Sequence, residues 1–476
     1  MVVQHKRFLL GLFLLSLTLR LLMFFTFTQH GSNAWIYFDS NQYYTIAKQL
    51  CAGNGICMQE GIAQYYRLPG YSLFLAGLLQ FFQQNVWYAL LVQTIVMSLI
   101  PLLCFVLVLS IFPANVMLAR LTALGVAVNL GMVLYAGMIA TEPLCLIFML
   151  LFFIAYLPVV LGTTFFCHPE LVSGSIRINT KLLALSALAG AFLGCASLIR
   201  PVGHYVLPLA IALVLLVSAL RWRQKLLYST GLLSGWLAIV SWWLLRNYLL
   251  TGAIFFHSLP GLHFLQYTGA NIIMQRDGCT YLQARSAILQ EWERHNKQAE
   301  VIQQKSLNEY ERCVVGEALA KQYIKSYPLY ALKYSLVQLF KTCVALYSTH
   351  ILLADTGVWP AYDQNTSWWF KVKRFLVPEL AHPWLVVWVY LELLLTMLMA
   401  VGLLLFCLSL WSMSGQERMT WLVLALFAGL FIGLTIAYGC ARLRMPCEPL
   451  LLMAASRGWL WLVSEHTEVH CEEEHG

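Results

Sequence analysis

The sequence predicts an all-α, polytopic membrane protein with about ten transmembrane helices, or eleven if one ambiguous segment crosses. Three observations carry this. Of 476 residues, 60% are hydrophobic and only 11% charged, against roughly 25% charged in an ordinary soluble domain. Mean hydropathy is +0.70; no soluble core of this chain length buries that much apolar surface, so the solvent is lipid. Apolar runs long enough to span recur along the chain, and Lys and Arg cluster in the short loops between them.

The first run, 8–28, follows Lys6 and Arg7. Its charge pattern is that of a signal peptide, but Arg20 interrupts it and no small-x-small cleavage site follows. It reads as an uncleaved helix with a cytoplasmic N-terminus. Residues 29–83 form a long first outer loop. This loop holds an amphipathic stretch over 43–50, a glycine-rich turn "CAGNG", and the piece "GYSLFLAGLLQFF", too short to span and expected to lie along the interface. Runs at 84–112, 118–139, 143–164, 182–199, 203–220 and 227–250 complete an N-terminal module, 1–250. Arg120, then Arg177 and Lys181, then Arg221, Arg223 and Lys225 fall on the cytoplasmic side of this count.

Residues 251–383 are more polar and carry charged helical patterns, expected to form a small extracytoplasmic helical region. Within it, 333–353 is ambiguous. A span there would bring "KVKR" inside, but Lys341 in its middle is costly in lipid, and an interfacial helix is the expectation. Runs at 384–411, 420–439 and 447–463 form the C-terminal helices of a 384–463 module. The acidic tail, 464–476, is expected to be disordered.

The net charge is +8, but its placement in short loops is the positive-inside bias and not a nucleic-acid signature. Most of the 13 cysteines act as small hydrophobes. Two pairs in polar loops, Cys51/Cys57 and Cys279/Cys313, leave disulfides open if those loops face an oxidising compartment. Walker A, GxGxxG, HExxH and GxSxG motifs are all missing, so nucleotide-driven pumping and the common soluble hydrolase chemistries have no support.

Charged residues recur near helix ends on one membrane face. Asp39, flanked by Tyr37, Tyr43 and Tyr44, follows the first run. Arg67 opens "RLPGY", Glu142 sits in "ATEPL", Arg200 in "LIRPVG", Arg246 in "WWLLRNYLLTG", and Arg442, Arg444 and Glu448 in "RLRMPCEP". Charge beside hydrocarbon is costly and usually pairs or serves a pathway. Two carboxylates and several arginines suit a lipid-linked phosphate: arginine grips phosphate oxygens bidentately, and a carboxylate accepts a proton from a hydroxyl. Each residue also has a plainer role. Arginines at helix ends snorkel to headgroups, Glu142 favours a helix N-terminus, and Asp39 caps the 43–50 helix. The joint pattern is what points to a site.

The order of "TLRLL", "FDSNQYYTIAKQL", "RLPGYSLFLA", "ATEPL", "LIRP", "RNYLLTG" and "RLRMPCEPLL" resembles the GT-C superfamily of integral-membrane glycosyltransferases. The likeness is to the bacterial branch akin to protein O-mannosyltransferases and lipid A aminoarabinose transferases, and it runs from about Arg20 to Leu462. The resemblance implies Asp39 as the catalytic carboxylate that deprotonates the acceptor. It implies an auxiliary role for Glu142, and Arg200, Arg246, Arg442 and Arg444 as holders of the lipid phosphate. Arg67 matches a positioning turn, and Tyr43 beside Asp39 is expected to help position substrate. Ser40 stands where many relatives carry a second acid, which argues against a paired-acid metal site; the long soluble C-terminal domain of oligosaccharyltransferases has no counterpart here, which argues against N-glycosylation.

The expectation is therefore a glycosyltransferase in a bacterial inner membrane with its site facing the periplasm. It would use a polyprenyl-phosphate-linked sugar and a glycan, lipid or protein acceptor, with no required cofactor and a divalent metal optional. The rival readings are a transporter or flippase of lipid-linked sugars, which needs no carboxylate base, and a non-catalytic membrane scaffold or receptor.

Overall fold

The computed structural model describes residues 5–28, 39–161, 180–218, 220–350, 367, 369, 373 and 383–473. The expectations on Tyr37, Arg177 and most of "KVKR" fall outside these. The described chain is an all-α membrane protein whose only strands among the described residues are the short antiparallel pair β1 (Cys57–Gln59) and β2 (Ile62–Ala63).

Helix α1 (Lys6–Thr28) leads into α2 (Ser40–Cys51), the amphipathic helix expected in the first outer loop. It buries Tyr43, Ile46 and Ala47 on one face. Helix α3 (Pro69–Phe81) is the short apolar piece. Proline at its first position suits a helix start, and it turns Tyr71, Ser72, Leu75 and Leu79 inward. Helices α4 (Val86–Met97) and α5 (Ile100–Ile111) together make one span.

The run at 118–139 is not a straight span. Helix α6 (Val116–Val128) breaks at Asn129 and resumes as α7 (Leu130–Leu134) and a 3-10 turn, Tyr135–Gly137, bent by 56°. The Asn129 side chain causes the break to hold: its oxygen accepts from the Met132 N–H at 3.1 Å, starting the second segment as a new helix. Helices α8 (Thr141–Leu161), α9 (Thr180–Ile199), α10 (Val202–Leu216) and α11 (Trp222–Thr251) follow. Helix α9 packs along both α8 and α11. Gly190 lies against the Leu232 carbonyl and Gly235 against the Ala187 carbonyl, so the backbones of α9 and α11 meet where any side chain would hold them apart.

The polar region is helical, as expected: α12 (Leu259–His263), a π-helical turn (Phe264–Gly269), α13 (Ala270–Asp277), α14 (Tyr281–Gln303), α15 (Glu309–Ser326) and α16 (Pro328–Val344). Helices α14 and α15 open with reciprocal capping boxes, Thr280 with Gln283 and Asn308 with Glu311. Leu265, Ala270, Ile273, Ala284, Ile288 and Leu319 give this region a core of its own. Helix α16 covers most of the ambiguous segment. It turns Tyr334, Gln338 and Thr342 inward and exposes Leu329, Leu332, Leu336 and Phe340, an arrangement that suits a helix bathed on one side by lipid.

Helix α17 (Val386–Ser409) exposes Val387, Leu394, Met397 and Leu404, again toward lipid. Helix α18 (Gly415–Gly433), the single turn α19 (Ala441–Arg444) and α20 (Glu448–Glu473) complete the chain. Helix α20 continues through 464–473, where a disordered tail is expected.

Six described helices are long and apolar enough to cross a membrane, and the bent pair makes a seventh. The remaining expected spans are helical as well, in α10, α18 and α20, but are shorter or more polar. The disulfides that the spacing leaves open are not formed. Cys51, Cys57, Cys279 and Cys313 are all free thiols, and Cys51 donates to the Ala76 carbonyl at 3.4 Å.

Candidate active site

Asp39 immediately precedes α2, where a capping residue would stand, but its side chain makes no bond to the helix backbone. Both carboxylate oxygens turn to arginines instead. Oδ1 accepts from Arg67 Nη2, and Oδ2 accepts from Arg442 Nη1 at 3.3 Å. The start of α2 is fixed by its neighbour: Ser40 Oγ donates to the Ile139 carbonyl at 2.6 Å, tying the start of α2 to the segment before α8.

Arg67 is held in place before α3 by several short-range bonds. Its N–H donates to Gln64 Oε1 at 2.8 Å, its carbonyl accepts from Gln64 Nε2 at 2.8 Å, and its Nε donates to Gln42 Oε1 at 2.6 Å. The guanidinium lies 5.3 Å from the centre of the Tyr43 ring. The two residues expected to position substrate are therefore in contact with each other.

Glu142 opens α8 and Arg200 follows the last residue of α9, so two antiparallel helices bring them together. The Glu142 side chain has 0% exposure, and its Oε1 accepts from both Arg200 Nη1 and Arg442 Nε. Thr141 Oγ1 donates to Glu142 Oε2 at 3.3 Å and accepts from Arg200 Nη1 at 3.4 Å. Arg442 thus bridges the two carboxylates, and Arg67–Asp39–Arg442–Glu142–Arg200 form one continuous chain of ion pairs. Three arginines face two carboxylates, leaving the cluster one positive charge in excess.

Burial pushes the Asp39 carboxyl up, but Arg67 and Arg442 outweigh it and hold Asp39 below the usual carboxylate range. Burial lowers His257 to about 3 and His263 to about 4, with Arg67 adding to both shifts. His257 and His263 are therefore neutral at physiological pH and add no positive charge beside Arg67. Both carboxylates are engaged by guanidinium groups, and among the described residues no three His, Cys, Asp or Glu side chains are arranged as metal ligands.

The other two arginines lie elsewhere. Arg246, in α11, donates to the carbonyls of Gln64 and Ile56, each at 3.2 Å, and to Asn247 Oδ1 at 2.9 Å. Stacked on Trp243 at 4.6 Å, it anchors the segment between α2 and α3 to α11. Arg444 pairs with Glu448 at 2.6 Å and donates to the carbonyls of Thr342, Cys343 and Ala345 at the C-terminus of α16. Those carbonyls have no partner within the helix, so Arg444 satisfies them. A cavity of about 130 Å³ between α6, α17 and α20 lies beside Arg444, Glu448 and Glu392, and none of the five clustered residues lines it. Gln42, Gln64 and Thr141 complete the cluster's hydrogen bonds, and nothing in their local sequence pattern distinguishes them from other polar residues near helix ends.

No family model matches the chain, and no curated protein matches it. Among solved structures it is similar to the archaeal oligosaccharyltransferase AglB from Archaeoglobus fulgidus, in complex with an inhibitory peptide and a dolichol-phosphate. That likeness has 13% identity and a TM-score of 0.48, and covers 99% of this chain and 52% of the other. It is also similar to ArnT from Cupriavidus metallidurans at 13% identity over 94% of this chain and 78% of that one. The TM-scores are 0.38 against the apo state and 0.41 against the form bound to undecaprenyl phosphate. The chain thus spans about half the length of the archaeal protein it matches and most of the length of the bacterial one.

Proposed function

We propose that the protein is a glycosyltransferase that moves a sugar from a polyprenyl-phosphate-linked donor to an acceptor hydroxyl on the outer face of a bacterial inner membrane. The observation that carries the reading is the Arg67–Asp39–Arg442–Glu142–Arg200 cluster at one end of the apolar helices. A structural ion network needs no surplus charge. This one has a surplus positive charge and a carboxylate with a partly open side chain, 35% exposed, and both suit an anionic, hydroxyl-bearing ligand.

In this mechanism the donor phosphate binds the arginines, chiefly Arg442 and Arg200 with Arg67. As the guanidinium groups turn toward phosphate, Asp39 loses the charges that hold its acidity high and becomes a better base. The acceptor hydroxyl gives its proton to Asp39 while its oxygen attacks the anomeric carbon. The bond from that carbon to the phosphate oxygen breaks, and the lipid phosphate leaves with the electron pair, its added charge stabilised by the arginines. A single displacement inverts the anomeric centre. Glu142 orients Arg200 and Arg442 and is a positioning residue in this account. Arg246 and Arg444 act on the scaffold, one fixing the first outer loop and the other α16.

Transfer from labelled polyprenyl-phosphate sugars to a panel of acceptors in reconstituted membranes tests the reading. Asp39→Asn is expected to transfer about a hundredfold more slowly, the loss of a general base. Equal transfer by both forms would remove Asp39 from the chemistry. A transporter of lipid-linked sugars draws support from the broken α6–α7 span, since discontinuous helices are common in such proteins. It would move the sugar-lipid across a bilayer without covalent transfer.

A further inference from the structure

Two tyrosines that belong to no sequence motif meet beside the cluster. Tyr267 lies in the π-helical turn Phe264–Gly269; such turns shift a side chain out of helical register and recur at functional sites. Tyr438 lies after α18, four residues before Arg442. The two ring centres are 4.8 Å apart with the planes inclined by 35°. Tyr438 is 38% exposed and Tyr267 is half-buried. Neither hydroxyl has a hydrogen-bond partner among the described residues.

Both rings are held from behind. On one side of Tyr438 the Ala437 carbonyl accepts from Tyr334 Oη at 3.0 Å, and on the other the Gly439 N–H donates to Gln338 Oε1 at 3.0 Å. Gly439 itself lies against the Gln338 backbone carbonyl, where a side chain would not fit. The Tyr267 carbonyl accepts from Asn271 Nδ2 at 3.0 Å, and His263 stands edge-on to the Tyr267 ring at 5.4 Å. Burial pushes the Tyr267 phenol up; of the charges around it Arg285 and Arg67 pull it down and Asp39 pushes it up. Tyrosines that anchor a helix at the membrane boundary point their rings along the lipid headgroups. These two face each other, one from the extracytoplasmic helices and one from the segment that carries Arg442.

We propose that Tyr267 and Tyr438 are the sugar-recognising face of the site. Their rings stack against the C–H face of the donor sugar, and their free hydroxyls bond to its hydroxyl groups, holding the anomeric carbon between Asp39 and the arginines. Rigid aromatic rings with unspent polar tips provide contact area and hydrogen bonds with little ordering left to lose on binding. This assignment rests on the glycosyltransferase reading and adds the residues that read the sugar.

The test uses the full chain in nanodiscs and two probes, a short-chain polyprenyl phosphate and the same lipid phosphate carrying a hexose or a pentose. Tyr267→Leu and Tyr438→Leu, which remove ring and hydroxyl together, are expected to weaken binding of the sugar-bearing lipid about tenfold or more through lost stacking and a lost hydrogen bond. Tyr267→Phe and Tyr438→Phe, which keep the ring and its packing, are expected to weaken it about fivefold through a lost hydrogen bond. Binding of the bare lipid phosphate stays unchanged in all four, which a merely structural role for the pair would not allow. The assignment is overturned if both probes weaken together, if neither weakens, or if wild type binds the sugar-bearing lipid no better than the bare one. If wild type binds neither probe, the glycosyltransferase reading fails and takes this assignment with it.

Discussion

Replacing Glu142 with glutamine separates two accounts of that residue by magnitude. As a carboxylate favouring the N-terminus of α8, Glu142 contributes about 0.3–1 kcal/mol. As the counter-ion between Arg200 and Arg442 it is worth more. Its own side chain is 0% exposed, and those of Arg200 and Arg442 are only 12% and 16% exposed, so solvent screens the pairs little. Removing one partner of such a buried network leaves charge uncompensated, at a cost of about 3–5 kcal/mol. Thermal unfolding of wild type, Glu142→Gln, Arg442→Met and the double variant in one detergent measures both the loss and the coupling. The expected coupling is about 0.5–3 kcal/mol, because the two side chains share a bond. A loss under about 1 kcal/mol for Glu142→Gln, with the double variant additive, would refute the counter-ion account and return Glu142 to a helix-dipole role.

Two further predictions follow from the same geometry. Asp39 is held below the usual carboxylate range, so its pairing stabilises the fold above that range and is lost as pH falls through the depressed value. The acid limb of kcat/KM, which reports the free enzyme, should lie on the acid side of the ordinary aspartate range in wild type. It should move to higher pH in Arg67→Gln and Arg442→Gln, which relieve Asp39 of one positive neighbour; an unmoved limb in both would show that Asp39 does not titrate in catalysis. Arg246→Gln and Arg444→Gln should lower the unfolding temperature by several degrees yet leave lipid-phosphate affinity within about twofold, because their donors are spent on carbonyls. Arg442→Gln should lose that affinity by about tenfold or more, the worth of a charge-assisted bond.

The five clustered residues come from five separate places in the chain, and the way they meet explains why the cluster is small. Arg67 and Asp39 arrive on the segment between α1 and α3, which Arg246 pins to α11 and Ser40 pins to Ile139. Glu142 and Arg200 arrive on antiparallel helix ends, and Arg442 reaches over from the segment that α16 holds through Gln338, Tyr334 and Arg444. Helix α16 therefore sets the position of a side chain whose own segment is only one helical turn long.

Read alone, the sequence determined that the solvent is lipid and that helices fill the chain. Apolar composition, run length and loop charge are one-dimensional properties, and they suffice for those conclusions. The break at Asn129 was hidden, because 118–139 is apolar throughout and one asparagine is an ordinary visitor in such a run. The choice among arginines was hidden for a stronger reason. Arg442 and Arg444 are two residues apart in the same short motif and read alike, but residues at that spacing on a helical turn face opposite ways. One points to Asp39 and Glu142, and the other to Glu448 and the end of α16. Tyr267 and Tyr438 lie 171 residues apart in sequence, and only the packing of the π-helical turn against the segment after α18 brings their rings together. Which charge meets which is a matter of distance in three dimensions, and that is what the tertiary structure decided.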